Sequence, residues 1–148
     1  MSARLSWWPL VVMMLVSVIS VELGFSETKG DSIETQILGQ WKFEGKRSEA
    51  QISSLATFKS GGVYTCAMVV KFFGTTSKMS FEATWKLVGE DAVEIKVTKT
   101  SSRFLLPVGK LIKKEGVRIQ DDVMTYQHDG KAEKEIRVPQ SDKETKTE

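Results

Sequence analysis

From Met79 to Thr100 the chain alternates apolar and polar residues with a period of two, interrupted by one short break. Phe81, Ala83, Trp85 and Leu87 share one side of an extended segment, while Glu82, Thr84 and Lys86 share the other. After Gly89-Glu90-Asp91 the pattern resumes, with Val93, Ile95 and Val97 against Glu94, Lys96 and Thr98. Successive side chains of a strand point to opposite faces, so this stretch predicts a β-hairpin with one buried face. The glycine in the break suits the turn that joins the two strands.

The same period extends through most of the remaining chain. Ile37 and Leu38 lead into a strand over Gly39 to Phe43, with Trp41 and Phe43 on one face, and Gly45 to Ala50 reads as a charged loop. A second strand, Ile52 to Phe58, brings Ile52, Ala56 and Phe58 together. The paired glycines of Lys59-Ser60-Gly61-Gly62 supply the positive φ angles of a hairpin turn. Val63 to Phe72 forms the third strand, apolar on both faces near its end and so expected to be covered on both. Gly74 to Lys78 reads as a loop of small polar residues.

Pro107 argues against a central strand between Ser101 and Ile112, leaving an edge strand with a kink or a long loop laid over an opening. Gly116 to Gln120 and Val123 to Gln127 are short strands around an Asp121-Asp122 turn, and Asp129-Gly130 turns the chain into Lys131 to Val138. Pro139 ends that strand, and residues 139–148 form a charged tail expected to be disordered. No helix is expected beyond residue 37. Strands at regular spacing with short connections give consecutive antiparallel neighbours, and closing the meander removes its exposed edges. The expectation is an all-β chain: an antiparallel up-and-down barrel of about eight short strands over 37–138. Its inward candidates are Trp41, Phe43, Phe58, Tyr64, Met68, Phe81, Trp85, Val93, Ile95, Ile119, Tyr126 and Ile136.

Composition adds limits. With 148 residues, 41% of them apolar, the chain has the makings of one domain with an ordinary core. A formal net charge of +2 and dispersed lysines argue against a dedicated nucleic-acid surface. The first residues differ from the rest: Arg4 precedes an apolar run from Trp7 to Val21 that is shorter than the ~20 residues of a spanning helix. Small residues allow cleavage after Ser26 or Ser20. This is the form of a signal peptide with an N-terminal signal helix, here residues 1–26, followed by a linker over 27–36. Localisation outside the cytoplasm, periplasmic or secreted, follows as an expectation. Cys66 is the one cysteine, so no intrachain disulfide supports the fold, and it is expected to be a buried small side chain.

Little in the chain suggests catalysis. His128 sits in a Gln127-His128-Asp129-Gly130 turn, and no HxxxH, CxxC, P-loop or G-x-G-x-x-G is present. The expectation is a non-enzymatic protein with no cofactor and no metal. A barrel of eight strands has an interior just wide enough for side chains or one small ligand. Tyr64, Met68, Phe81, Trp85, Ile95 and Tyr126 are the residues expected to meet such a ligand. Phe72, Phe73, Phe104, Leu105 and Leu106 are more apolar than hairpin ends require and are expected at a portal. The partners expected are a small apolar molecule in or at the mouth of the barrel or, alternatively, an envelope protein or a membrane surface. The chain is expected to be monomeric.

Four segments resemble a known family. Leu38-Gly39-Gln40-Trp41 opens a strand in the G-x-W manner, and Thr57-Phe58-Lys59-Ser60-Gly61-Gly62-Val63-Tyr64 is similar to its TF-turn-G-x-Y hairpin. Ala83-Thr84-Trp85-Lys86-Leu87-Val88-Gly89 resembles the following G-x-W strand, with Ala83 where glycine is usual. Met124-Thr125-Tyr126-Gln127-His128-Asp129-Gly130 is similar to the closing hairpin. Together they resemble the small, secreted lipocalin-like domains of bacteria. The resemblance implies a lipocalin-like barrel with Trp41 and Trp85 as plugs at one end.

Overall fold

A computed structural model describes residues 31–140. The expected signal segment 1–26, the first part of the linker and the tail beyond residue 140 lie outside the described residues. Within them, eight strands follow one another in order: β1 (Gly39–Arg47), β2 (Ala50–Lys59), β3 (Val63–Phe72), β4 (Thr75–Val88), β5 (Ala92–Thr100), β6 (Leu111–Gln120), β7 (Val123–His128) and β8 (Lys131–Arg137). Each pairs antiparallel with the next, and β1 pairs with β8 through Trp41 opposite Arg137 and Lys42 opposite Ile136. The sheet is a closed barrel, all-β apart from one short helix. Closure gives every strand a neighbour on both sides, which is the gain that the short connections made available.

An up-and-down meander sends its turns alternately to two ends. The β1–β2, β3–β4 and β7–β8 turns and the β5–β6 loop (residues 101–110) lie at one end, called here the open end. The β2–β3, β4–β5 and β6–β7 turns lie at the other, where the chain also enters β1. At this closed end a single-turn helix, α1 (Ile33–Gln36), precedes β1 and touches β6. It falls inside the stretch expected to be a linker. Ile37, directly after it, is fully buried, and its carbonyl accepts a 2.7 Å hydrogen bond from Trp41 Nε1.

Aromatic packing fills the closed half. Trp41 and Phe58 are buried completely, and Trp85 donates from Nε1 to the Lys59 carbonyl at 2.9 Å. Phe58 meets Trp85 edge-on at 5.5 Å and Tyr64 edge-on at 4.8 Å. Such edge-to-face pairs add about 0.5–1.5 kcal/mol to what burial alone provides. The Arg137 guanidinium lies 4.3 Å from the Trp41 ring centre and donates to the carbonyls of Leu38 and Gln36, each at 2.6 Å. That arginine ties α1, β1 and β8 together where the barrel closes.

Several expectations need correction. Ile136 points outward and is exposed; the inward positions of β8 are Glu133 and Glu135. The stretch Gly74 to Lys78 is not a loop, because β4 already begins at Thr75 and the turn is only Phe73-Gly74. Phe72 is exposed, so the end of β3 is not covered on both faces. The charged loop after Gly45 is likewise paired strand on both sides of a tight turn. Residues 101–110 form a loop and β6 starts at Leu111, earlier than the Gly116 expected from the pattern. A bulge between Glu115 and Arg118, with Gly116 at φ +60°, hides the continuity of that strand.

Candidate functional site

The open half of the barrel is not filled by its own side chains. A cavity of about 290 Å³ lies there, within reach of the size that takes one small molecule. Its apolar wall comes from Phe43 of β1, Ile52 of β2, Met68 of β3, Met79 and Phe81 of β4, and Ile112 of β6. Leu105 and Leu106, from the β5–β6 loop, border it at the open end. The Phe43 ring is accommodated by Gly45 two positions along the same face, where a Cβ would come within 2.6 Å of the ring.

Its polar wall comes from β6, β7 and β8. Lys114 and Glu135 are both buried and form an ion pair through Nζ and Oε1. Tyr126 donates its hydroxyl proton to the same Oε1 at 2.7 Å, and Lys114 Nζ stands 4.1 Å from the Tyr126 ring centre. Glu135 Oε2 is sealed from solvent and has no partner among the described groups. A buried acceptor left without a donor costs about 1–3 kcal/mol.

The two acids reach the interior because of turn geometry. Asp129-Gly130 is a two-residue turn, so His128 opposes Lys131, Tyr126 opposes Glu133, and Met124 opposes Glu135. Directly opposed residues of an antiparallel pair share a face. With Met124 and Tyr126 buried, Glu133 and Glu135 must face inward as well. The Gly116 bulge does the same for Lys114: it adds one residue to β6 and reverses the facing of everything before it.

At the open end Arg47 and Glu133 form a two-pronged pair. Arg47 Nη2 donates to Oε1 at 2.7 Å and to Oε2 at 2.9 Å, and Nε donates to Oε1 at 3.2 Å. The guanidinium also lies 5.9 Å from the Phe43 ring centre. His128 is half-buried beside this pair, and its Nδ1–H donates to the Lys113 carbonyl at 2.8 Å. Comparison with protein-family models, curated proteins and solved structures gives no match. The chemistry of the site therefore has to be taken from its own groups.

Of the residues expected to meet a ligand, Tyr64, Met68, Phe81 and Tyr126 line the cavity together. Trp85 and Ile95 lie outside its lining, in the packed closed half. Of the portal residues, Leu105 and Leu106 border the cavity, whereas Phe72, Phe73 and Phe104 stand on the outer rim, exposed. Lys114, Glu135, Arg47 and Glu133 were not foreseen as interior groups. Among the described residues no set of three His, Cys, Asp or Glu side chains is placed to hold a metal ion. No helix among them is long and apolar enough to cross a membrane.

Burial, above all, raises the Tyr64 and Tyr126 hydroxyls well above their usual value, with Glu135 adding to the effect on Tyr126. It also pushes the Cys66 thiol up from 9.0 to about 11. An acid raised in this way is neutral in the fold, so its contribution is complete below its unfolded value and is lost as the pH climbs through the folded one. For Cys66 the window runs from 9.0 to about 11, worth about 2–3 kcal/mol at its upper end. Urea midpoints are therefore expected to hold steady up to about pH 9 and to fall toward pH 11. In Cys66→Ala the early part of that fall should be smaller, and an identical profile would rule the thiol out as its source.

Proposed function

We propose that this barrel is a non-enzymatic, lipocalin-like binding protein that acts outside the cytoplasm and holds one small molecule. The ligand has an apolar body, which lies along Met68, Phe81 and Ile112, and a hydrogen-bond-donating head, which meets the Glu135 carboxylate. The cavity with the Glu135–Lys114–Tyr126 cluster in its lining carries this reading. Apolar lining with a few placed polar groups is the usual make-up of a small-molecule site. The signal-like pattern of residues 1–26 supports the location. The G-x-W and TF-turn-G-x-Y segments support the kinship.

Native mass spectrometry of the protein purified from its own cells tests this. A copurifying molecule of a few hundred daltons is expected at one per chain. Ser54→Phe, which pushes a ring into the cavity from β2, is expected to lower its occupancy at least about tenfold while the fold remains. A chain that is always empty, or occupancy unchanged in Ser54→Phe, would contradict the proposal.

A further inference from the structure

The two ends of the barrel differ in charge, and the rim of the open end carries bare aromatic rings. At the open end the strand ends expose Lys46, Lys71 and Lys131 and the β5–β6 loop exposes Arg103 and Lys110, against the acids Glu49 and Asp129. At the closed end the turns expose Glu90, Asp91, Asp121 and Asp122, with Asp31 and Glu34 beside them, against Lys59 and against Arg137, which pairs with Asp122 at 2.9 Å. A net charge near zero thus conceals a dipole along the barrel axis, positive at the cavity mouth.

Apolar side chains project from the same positive rim. Phe73 is 78% exposed at the tip of the β3–β4 turn, and Phe104 is 95% exposed on the β5–β6 loop. Phe73 also adopts a left-handed backbone conformation, φ +44°, ahead of Gly74 at +77°. Turns of this kind favour Asn or Gly at that position, and a bulky residue there is strained. A strained backbone that holds a phenyl ring largely in water incurs two costs, which the neighbouring Phe72 ring offsets only in part. Phe72 packs edge-on against Phe73 at 4.4 Å and stiffens the tip.

We infer that the open end docks on an anionic lipid surface, with Phe73 and Phe104 entering the headgroup boundary and the surrounding lysines and arginines meeting lipid phosphates. Aromatic rings flanked by cations suit that boundary, where the ring lies in the apolar layer and the charge stays with the headgroups. The rings stand on two separate tips rather than on one flat face, and a fluid surface conforms to such tips where a rigid one does not. Docked this way, the mouth of the cavity faces the bilayer, so a ligand passes between lipid and barrel without crossing open water. The inference does not need the cavity to be occupied and stands or falls separately from the binding proposal.

A dye that reports polarity, placed at either end of the full chain, tests it. Thr75→Cys carries the dye beside the Phe73 tip and Glu90→Cys carries it at the closed end. Cys66 is buried and stays unlabelled. With vesicles of phosphatidylcholine containing about 30% phosphatidylglycerol, the dye at position 75 is expected to shift to the blue and the dye at position 90 to stay unchanged. Pure phosphatidylcholine, or salt near 1 M, should abolish most of the shift. Removing the charges of Arg103 and Lys110 together should weaken vesicle binding roughly thirtyfold. Phe73→Ser with Phe104→Ser should weaken it as well, at an unchanged unfolding midpoint. No shift at position 75, or equal shifts at both positions, overturns the inference. So does a shift that needs no vesicles and grows with protein concentration, since that would identify a second copy of the chain as the occupant.

Discussion

Replacing Glu135 by alanine is expected to lower the unfolding free energy by about 3–5 kcal/mol. The substitution leaves the Lys114 ammonium buried without its counter-charge and takes the acceptor from the Tyr126 hydroxyl. Against a total stability of about 5–15 kcal/mol this is a large fraction, visible in urea unfolding at neutral pH as a midpoint shift with the slope unchanged. The companion experiment removes both charges. Lys114→Met combined with Glu135→Leu is expected to regain most of the loss and can exceed the parent, because apolar packing replaces two desolvated ions. That double variant should also bind the ligand poorly, since the head group then meets methyl groups. A single substitution that costs less than about 1 kcal/mol would mean that the pair is open to water, contrary to the burial described above.

The second large effect is expected at Trp41. Trp41→Ala removes the largest fully buried side chain among the described residues and leaves the Ile37 carbonyl and the Arg137 guanidinium without the indole. Large-to-small changes of this kind cost about 3–5 kcal/mol. Trp41→Phe keeps a ring but loses the N–H, and an intermediate loss of about 1–3 kcal/mol is expected. Amide exchange adds a local reading. In Trp41→Ala the Ile37 amide, bonded to Ile33 O within α1, should lose protection more than amides of the β3–β4 tip. Uniform loss around the barrel would show that Trp41 does not specifically fasten the closed end.

How much of this could be read from the sequence depends on which rule governed each segment. Where apolar positions mark the inner face, as in β4 from Met79 onward and in β5, period-two alternation places the strands and the Gly89-Glu90-Asp91 turn correctly, while the polar start of β4, Thr75 to Lys78, escapes it. In β8 that rule misleads. Ala132 and Ile136 are the apolar residues of Lys131–Arg137, yet they face outward. The better signal was the two-residue Asp129-Gly130 turn, which fixes the register against β7 and forces Glu133 and Glu135 inward once Tyr126 is inward. Lys114 was harder to foresee. Its facing depends on a one-residue bulge at Gly116, and nothing in the alternation of Leu111–Gln120 announces an added residue. Of the cavity lining, the inward candidates read from alternation thus included Phe43, Tyr64, Met68, Phe81 and Tyr126 but not Ile52, Met79 or Ile112, and none of the charged groups.

The loop over 101–110 illustrates a different limit. Pro107 signalled a departure from regular strand, but whether such a loop crosses an opening is decided by the strands around it. The structure brings Leu105 and Leu106 to the cavity and leaves Phe104 pointing into solvent. Three adjacent apolar residues thus serve on two different surfaces, a division that no local pattern encodes.

Methionine methyl groups offer the most direct measurement of the central claim, that the open half of this barrel is a ligand site. Met68 and Met79 line the cavity, and Met124 is fully buried without being part of its lining. In a titration of methyl-labelled full chain with 1-octanol, an apolar body with one hydroxyl donor, the Met68 and Met79 resonances are expected to shift together and saturate while Met124 stays in place. Shifts confined to other positions, or Met68 and Met79 resonances that never move, would contradict the account.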